Sequence, residues 1–522
     1  MCTSEAGFQH SSKDVEEADK SYVYSIDWRG RVLTDEAGVT EAVEAVGVTT
    51  PTLDLMRVPH NGEAKSSSMP VKLNGKPNTW LPRRAFLRAL HGGLAEAERS
   101  GRVALLHSTK LVSVHLAPPL PPPGSGGGAA EAPATQSQPP HPVLVRSVET
   151  DSGRERLFAP RLLVGADGAH SDVRCALEEW APGAGMPAEQ FRPVVLDSPA
   201  AGLRYKVLQL PPSPPFRRPA AAAAPSQAAV EAGRLENRKF AMVQGRPGPR
   251  RRVMRLGLLP IADPAAPRTA NFISTPDHEF WSIKGGEQLR DFLQDAFPQL
   301  DIPALLTPQQ LEAAAAASGG AFPRPQYLRR FTAVLPSPFQ TPGPAPKPTA
   351  DGHGISAAGG SSPGGGSGSA VGVALVGDAV HCFPPDLGQG VNSAMLDVVG
   401  LAQALDEAAG DVGKALPMYE ARRAPEAAAL THLVTFSYPY QYNQAPLRRA
   451  LWTANFLIRS VLSRLLPNLF SGHSFILVQQ PGLSYAEILE LAHATTRRLW
   501  ALAGVVATAV IALALRMALA AA

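Results

Sequence analysis

The 522-residue sequence has few of the features that define several large protein classes. Its three cysteines, Cys2, Cys175 and Cys382, show neither metal-site nor redox spacing, so they indicate a reducing compartment without a disulfide framework. The net charge is only +4, and no aromatic residues interleave with the arginine-rich run RPGPRRRVMR, which argues against a nucleic-acid partner. Residues 1–19 lack the basic and apolar segments of a secretory signal, and the chain has no internal repeat.

One stretch, residues 371–405, combines a strand, an acidic turn, a glycine-rich loop and a helix. The apolar run 371–376 predicts a buried strand, which Gly377 and Asp378 end. An Asp at a strand end can accept hydrogen bonds from the hydroxyls of a sugar-like chain. The glycines that follow let backbone approach a flat ligand, and the first helix amides favour a ring that becomes anionic on reduction. The predicted buried face of the helix is Val391, Met395, Val398, Ala402 and Leu405.

A second motif, RLLVGADGAHSDVR, occupies residues 161–174. The run 162–164 predicts a strand, and Ser171 is a good cap for the helix that follows. The glycines on either side of Asp167 allow a tight turn, and its carboxylate can bind a ribose or an ordered water near a pyrophosphate. Taken alone, this motif also fits an ordinary turn between a strand and a helix.

Together these motifs resemble those of class A flavoprotein monooxygenases. GDAVHCFPPDLGQGVNSAMLDVVGL is similar to the GD motif of that class, and residues 161–174 are similar to its DG motif. WRGRVLTDEAGV, RVPH, RRAFL, FWSIKGGEQLRDFLQDAFPQL and LLPNLFSGHSF resemble kynurenine 3-monooxygenases within the class. With interruptions, the resemblance covers most of the chain.

The resemblance implies an FAD-dependent monooxygenase that hydroxylates a small aromatic substrate with O2. In this class NADPH or NADH reduces the flavin, which then forms a C4a-hydroperoxide that gives its distal oxygen to the ring. The protein contributes by positioning the cofactor and the ring and by excluding water. The prediction therefore includes no catalytic side chain and no metal, and His381 is interpreted as structural.

The site residues also follow from the resemblance. The implied cofactor-binding residues are Arg84, Asp167 and Gly168 near the pyrophosphate, Gly377 and Asp378 at the ribitol, and Gly388, Gln389, Gly390, Val391 and Asn392 against the flavin. The implied substrate-binding residues are Arg57, which would pair with a carboxylate, together with Asn392 and Tyr419. Arg57 also fits a solvated surface arginine, and Tyr419 and Arg423 also fit ordinary surface positions.

The sequence departs from the family pattern in three places. It has no N-terminal strand-GxGxxG-helix unit, so we expect either a truncated sequence or weakened FAD binding. Asp386 and Leu387 stand where kynurenine 3-monooxygenases have two phenylalanines, which predicts a different pocket. The family tyrosine upstream of the R-x-x-L helix has no counterpart near Lys72 and Leu73, and kynurenine itself is therefore in question as the substrate.

The predicted fold is α/β, with a second, antiparallel layer. A Rossmann-like FAD/NAD(P)-binding domain without its first βαβ unit is expected from residues 20–116, 143–210 and 371–420, and an antiparallel substrate-domain sheet from 233–336. Residues 421–498 predict a helical C-terminal region. Three segments rich in Pro, Gly, Ala and Ser, residues 117–142, 211–232 and 337–370, predict disordered insertions.

Residues 499–515 form an uncharged run of 17, close to the length that crosses a membrane, behind the basic pair Arg497 and Arg498. They predict a single-pass C-terminal anchor, with a buried core helix and an in-plane helix as alternatives. The resemblance implies the mitochondrial outer membrane, although another organelle is also compatible.

Two other functions remain open. One is a catalytically dead homologue that acts as a membrane-bound scaffold, which the missing GxGxxG unit favours. The other is a non-hydroxylating flavin oxidoreductase or epoxidase acting on a lipid, which an anchor and an apolar pocket at Leu387 would suit.

Overall fold

The computed structural model describes residues 23–61, 63–70, 77–116, 142–182, 185–217, 233–248, 253–335, 370–442 and 445–521. Most of the three predicted insertions lies outside these residues, so their disorder stays a prediction. Residues 211–217, at the start of the second insertion, are described, and Phe216 there is buried in a hydrophobic core.

The described strands are short and fall into five sheets. They are β1 (Val23–Ile26), β2 (Val48–Thr50), β3 (Thr52–Val58), β4 (Lys65–Pro70), β5 (Asn78–Pro82), β6 (Thr109–Leu116), β7 (Val143–Glu149), β8 (Glu155–Phe158), β9 (Leu162–Gly165), β10 (Val194–Val195), β11 (Arg204–Leu210), β12 (Phe240–Pro247), β13 (Val253–Leu258), β14 (Arg268–Ser274), β15 (Gly320–Ala321), β16 (Gln326–Tyr327), β17 (Thr332–Leu335), β18 (Val371–Leu375) and β19 (His381–Cys382).

The described α-helices concentrate towards the end of the chain. They are α1 (Trp28–Glu36), α2 (Thr40–Val46), α3 (Arg83–Arg99), α4 (Asp172–Trp180), α5 (Gly286–Ala296), α6 (Ile302–Leu305), α7 (Pro308–Ala316), α8 (Gly390–Glu407), α9 (Val412–Phe436), α10 (Pro446–Leu465), α11 (Ser474–Leu477) and α12 (Tyr485–Ala521). The sequence pattern of residues 28–46 also fits a single helix, but the structure divides it into α1 and α2. Gly38 between them adopts a left-handed backbone conformation, which a right-handed helix cannot contain.

The largest sheet has seven strands in the order β15-β11-β14-β13-β12-β3-β4. Its central strands β12, β13 and β14 are antiparallel, as the sequence predicts for the substrate domain. The same sheet also contains β3, β4 and β11, which come from residues assigned above to the FAD-binding domain, and the domain boundaries stay a prediction. The parallel pairing of β3 with β12 joins segments that are distant along the chain, and no local pattern could reveal it.

The second core surrounds a smaller sheet with the order β17-β18-β9. β18 runs parallel to β9, with Leu375 opposite Gly165, and antiparallel to β17. α4, α8 and α9 contribute to the hydrophobic core around these strands. Of the predicted parallel sheet, the described residues contain the parallel pair β9 and β18. The structure around this pair is mixed α/β.

The buried face of α8 differs from the predicted one. Met395 is buried, but Val398 and Ala402 are exposed. The polar residues Asn392, Ser393 and Asp397 are buried instead, since each has hydrogen-bond partners inside the protein. The apolar pattern was misleading here because α8 buries a polar network, which a hydrophobic periodicity cannot detect.

Candidate FAD-binding and substrate site

The structure brings the two sequence motifs together. Because β9 and β18 are adjacent and parallel, Asp167 and Asp378 follow neighbouring strands at the same carboxyl edge. The backbone N–H of Val376 donates to the Gly165 carbonyl at 3.0 Å, which fixes the two turns relative to each other. Both Asp167 and Asp378 are exposed at this edge. In open α/β sheets, this edge is where ligands bind.

Two glycines shape the loop between β18 and α8. Gly377 has φ +61° and Gly388 has φ +64°, a left-handed conformation that other residues adopt only with strain. A Cβ on Gly377 would also lie 3.1 Å from the Cβ of Ala394, whereas Gly388 faces open space. The loop therefore brings bare backbone to the surface immediately before α8.

The start of α8 carries no side-chain cap among the described residues. The first amides of a helix are unpaired within the helix, and its dipole places partial positive charge there. The backbone around Gly388 and Gly390 is at least partly accessible. These features fit the flavin ring, because its reduced form is anionic.

Behind the loop, Asp397 holds a fully buried network. Its Oδ2 accepts from the Gly377 backbone N–H at 2.9 Å and lies 2.8 Å from His381 Nε2, while its Oδ1 accepts from Arg423 Nε at 2.8 Å. Burial alone would raise the pKa of Asp397, but the charges and hydrogen bonds of His381 and Arg423 lower it below its ordinary value. Asp397 thus fixes the turn that presents Asp378.

Gln389 and Asn392 do not present their side chains to a ligand. Gln389 Nε2 donates to Asp27 Oδ2 at 3.0 Å, and Tyr485 Oη donates to Gln389 Oε1 at 2.7 Å. Asn392 Nδ2 donates to the carbonyls of Ser25 and Gly388, and its Oδ1 accepts from the Asp27 N–H. Both side chains therefore tie α8 to β1, α1 and α12. Only backbone remains here for a cofactor.

Asp27 and Arg29, which the sequence analysis did not single out, complete this connection. Asp27 caps α1, and Arg29 donates to the carbonyls of Val478 and Leu483 near the start of α12. Burial raises the pKa of Asp27, although the charge of Arg29 and the hydrogen bond from Gln389 act in the opposite direction. The WRG motif, which contains Arg29, was the sequence feature that could have indicated this connection. Its hydrogen-bond partners Val478 and Leu483 lie at the other end of the chain, so the motif alone does not predict the contact.

Asp386 lies on the single turn Pro385–Leu387 that precedes Gly388. Its side chain is 5% exposed, and Oδ1 accepts a hydrogen bond from Gln441 Nε2 at 2.8 Å. Its other oxygen, Oδ2, is buried and has no hydrogen-bond partner among the residues that the structure describes. Burial raises the pKa of Asp386 to about 7, and the Gln441 hydrogen bond only partly opposes this effect.

The other predicted site residues occupy different places. Arg57 is exposed on β3 of the seven-stranded sheet, near Arg255 on β13, and Arg84 lies half-buried in the first turn of α3. Tyr419 is fully buried, and its Oη donates to the Leu375 carbonyl at 2.9 Å. Since Tyr419 has no surface for a substrate, its predicted substrate-binding role is not supported. Neither Tyr419 nor Arg423 is at the surface, because Arg423 is buried against Asp397.

Comparison with known proteins identifies the region around α8. Residues 370–434 match the family described as FAD binding domain. A kynurenine 3-monooxygenase of Phaeosphaeria nodorum is 39% identical over 64 residues, which are 12% of this chain and 13% of that protein. One from Salinispora arenicola is 34% identical over 125 residues, 24% of this chain and 27% of that protein. The chain thus matches well under a third of the length of either relative.

A solved structure of pqsL, described as a probable FAD-dependent monooxygenase from Pseudomonas aeruginosa, covers 81% of this chain and 88% of its own at 18% identity, with a TM-score of 0.44. The family match covers the segment that the GD motif occupies. The resemblance of this chain to class A flavoprotein monooxygenases is confirmed, and its residues 370–434 match an FAD binding domain.

Proposed function

We propose that this protein is an FAD-dependent monooxygenase that acts on a small aromatic substrate with O2 and NADPH or NADH. The observation that carries the proposal is the shared carboxyl edge of β9 and β18, because Asp167 and Asp378 directly follow these two parallel strands. The family match over residues 370–434 supports FAD as the cofactor. When bound, FAD supplies the oxygen-activating chemistry, with the nicotinamide cofactor as its source of electrons.

The residues of this chain would hold and orient that cofactor. Asp378 is suited to accept hydrogen bonds from the ribitol hydroxyls, and Asp167 with Gly168 and Arg84 to contact the pyrophosphate side. The backbone from Gly388 to Asn392 would stabilise negative charge on the ring, because helix amides point there. Asp397 acts indirectly, since it fixes the Gly377 amide and thereby the direction of Asp378.

We also propose a membrane location through α12. Within the part of the chain that the structure describes, one helix, Tyr485–Ala520, is long and apolar enough to cross a membrane, and its most apolar window is not buried. α10 supports the proposal because one of its faces is apolar and exposed at helical spacing, namely Leu447, Leu451, Ile458, Val461 and Leu465. The resemblance to kynurenine 3-monooxygenases favours the mitochondrial outer membrane.

The first experiment measures FAD binding by the purified full chain. We expect a retained flavin absorbance, and a loss of FAD affinity of about tenfold or more in Asp378→Ala from the lost charge-assisted hydrogen bonds. Asp406→Ala, an exposed carboxylate on α8, is the matched control and should bind FAD as the unchanged protein does. A colourless full chain would contradict the proposal and favour the scaffold alternative.

A second experiment separates hydroxylation from other flavin chemistry. NADPH and O2 consumption is measured with small aromatic acids and with isoprenoid lipids, and the products are identified by mass spectrometry. We expect a hydroxylated aromatic product. Leu387 does not favour the lipid alternative, because it is buried in the hydrophobic cluster with Leu430 and Tyr485 and does not line an open pocket. A lipid epoxide as the product would overturn the aromatic assignment.

A further inference from the structure

Outside α12, the exposed large apolar side chains of the described residues concentrate on α10. Four of them share one face of the helix and are 50–75% exposed: Leu447, Leu451, Ile458 and Leu465. The opposite face packs against the protein, since Trp452 Nε1 donates to the Phe436 carbonyl at 3.1 Å and the ring of Phe456 contacts that of His473. The apolar face therefore points away from the protein along the whole length of α10.

Arginines lie on both sides of this apolar face. Leu447 and Leu465 are about five turns apart and point in the same direction, so Arg448 after the first and Arg464 before the second lie on opposite sides. Both arginines are exposed. The chain has 45 acidic residues, but none of them falls within residues 427–486. This part of the sequence therefore supplies no carboxylate that could pair with the two guanidinium groups.

The end of α10 is fixed beside the point where α12 becomes uncharged. Arg459 Nη2 donates to Thr496 Oγ1 at 2.7 Å, and Arg498 donates to the carbonyl of Leu469, shortly after α10. Both contacts lie within one turn of Leu499, the first residue of the uncharged run. If α12 crosses a bilayer, these contacts hold α10 at the surface where the crossing begins.

We propose that α10 is a second membrane contact, which lies in the plane of an anionic lipid surface. Its apolar face enters the outer acyl layer by about 5–10 Å, and Arg448 and Arg464 bind lipid phosphates while their stems stay in the apolar layer. The helix lies in the plane because its apolar face extends from the first turn to the last. The inference rests on the membrane location proposed above and adds to it a lipid class and an orientation.

The same features disfavour a second copy of this chain on the apolar face. Two α10 helices packed face to face would bring arginines from both copies together, and residues 427–486 offer no carboxylate to separate them. A surface of anionic headgroups places negative charge beside Arg448 and Arg464 instead. The charge of the segment therefore complements a lipid surface better than it complements itself.

The first test measures the depth of α10 in a bilayer with the full chain. A fluorophore is attached at Leu451→Cys, with Cys2 and Cys175 replaced by serine, in vesicles of phosphatidylcholine and phosphatidylserine in equal parts. We expect a quencher near the headgroups to act more strongly than one at the acyl ends. A fluorophore at Leu157→Cys, 62% exposed on β8, is the control and should not be quenched. An unquenched fluorophore at 451, or stronger quenching by the deep probe, would overturn the inference.

A second test isolates α10 from α12 in the full-length chain. Val506→Lys combined with Ile511→Lys places two charges within the apolar run of α12 and should prevent it from spanning. Binding of this chain to vesicles is measured by flotation. We expect it to bind the mixed anionic vesicles about tenfold or more tightly than pure phosphatidylcholine vesicles. No binding to either vesicle would contradict a separate contact through α10.

Substitutions on the apolar face are then added to the chain with the two lysines. Leu451→Gln with Leu465→Gln should weaken binding to anionic vesicles by about tenfold or more, because both side chains would leave the acyl layer. Val112→Gln with Leu157→Gln, exposed positions on β6 and β8, is the matched control and should stay within about twofold. All four residues are exposed, so circular dichroism should show a folded protein in each case. Equal effects of the two pairs would overturn the inference.

The arginines are tested in the same way. Arg448→Gln with Arg464→Gln should weaken binding to anionic vesicles about tenfold and leave binding to phosphatidylcholine vesicles within about twofold. Arg102→Gln with Arg154→Gln, exposed arginines outside the C-terminal region, is the control and should change neither. An unchanged preference for anionic vesicles without Arg448 and Arg464 would contradict their contact with lipid phosphates.

Failure of this inference is distinguishable from failure of the proposed anchor. If the unchanged chain inserts into vesicles but the fluorophore at 451 stays in water, α12 remains an anchor and the inference falls. If the lysines in α12 change nothing while the α10 substitutions abolish binding, the anchor falls and the contact through α10 stands. A dimer in light scattering that Leu451→Gln dissociates, without vesicle binding, would assign the face to a second copy and overturn the inference.

Discussion

Asp397 and Asp386 are two buried aspartates of the same segment, yet their surroundings are opposite. Asp397 has three hydrogen-bond partners, namely the Gly377 amide, His381 and Arg423, and two of these can carry positive charge. Within the described part of the chain, Asp386 has one neutral donor, Gln441, and one oxygen without a partner. The pKa of Asp397 is lowered, whereas that of Asp386 is raised to about 7.

This difference shows that burial by itself does not decide the charge of a carboxyl group. Both residues lose water, but only Asp397 recovers the loss through charged partners. A fully satisfied carboxylate fixes a turn, while an incompletely satisfied one retains the capacity to bind a ligand. The contrast therefore separates a carboxylate that supports the turn from a carboxyl group with an unused acceptor, inside one motif.

The largest expected effect comes from removing Asp397, the carboxylate that has charged partners. Asp397→Ala leaves Arg423 buried without its partner and removes the acceptor of the Gly377 amide. We expect a loss of about 3–5 kcal/mol in the free energy of unfolding, measured by urea denaturation. Asp406→Ala is the exposed control and should change stability by less than about 0.5 kcal/mol. A small effect at both positions would mean that the network contributes little.

The second prediction concerns Asp386, the buried carboxyl group that has no charged partner among the described residues. Because the folded-state pKa of Asp386 lies above its unfolded value, ionisation destabilises the fold as the pH rises from about 4 to about 7. Asp386→Asn should therefore stabilise the protein at pH 8, by up to about 4 kcal/mol, and the gain should shrink towards pH 4. Urea denaturation at both pH values measures it. A pH-independent effect would contradict the raised pKa.

A third prediction tests the turn that Asp397 supports. Gly377→Ala places a Cβ in a left-handed conformation and 3.1 Å from Ala394, which should cost about 1–2 kcal/mol and weaken FAD binding. Gly285→Ala, at the residue before α5, where no atom lies within 4 Å of the added Cβ, is the control. Thermal unfolding and FAD titration are measured for both variants. Equal losses in the two would remove the special role of Gly377.

The smallest expected effect comes from replacing Gln441, the hydrogen-bond donor to Asp386. Gln441→Leu removes the one donor to Asp386 and should cost about 1 kcal/mol at pH 5, where the carboxyl group is largely protonated. It should also make the pH-dependent loss of stability larger and extend it to higher pH, because the hydrogen bond lowers the folded-state pKa of Asp386. Stability measured from pH 5 to 9 would show the loss levelling off at a higher pH. Levelling off at an unchanged pH would mean that Gln441 does not interact with the ionised form.

Much of the site was predictable because it is local. The strand, turn and helix from Val371 to Glu407 and the strand and capped helix at Asp167 are encoded in short segments. That the two motifs would meet at one sheet edge follows once their strands are parallel neighbours. The interpretation of His381 as structural agrees with its buried contact to Asp397.

The remaining features depend on contacts between distant segments. The pairing of β3 with β12 and the bonds from Arg29 to Val478 and Leu483 join residues that no periodicity connects. Tyr419 resembled a substrate residue by position, but its burial depends on how α9 packs against β18. The polar face of α8 could not be inferred, because its partners are supplied by other elements.

The continuity of α12 has a practical consequence for producing this protein. Its first residue, Tyr485, donates a hydrogen bond to Gln389 in the loop before α8. Further along the same helix, Thr496 accepts a hydrogen bond from Arg459 on α10. From Trp500 onward its large apolar residues face outward. A shortened version without these exposed residues should therefore end after Arg498. A stop before Thr496 would remove its hydrogen bond with Arg459, and a stop before Tyr485 would also remove the hydrogen bond that holds Gln389.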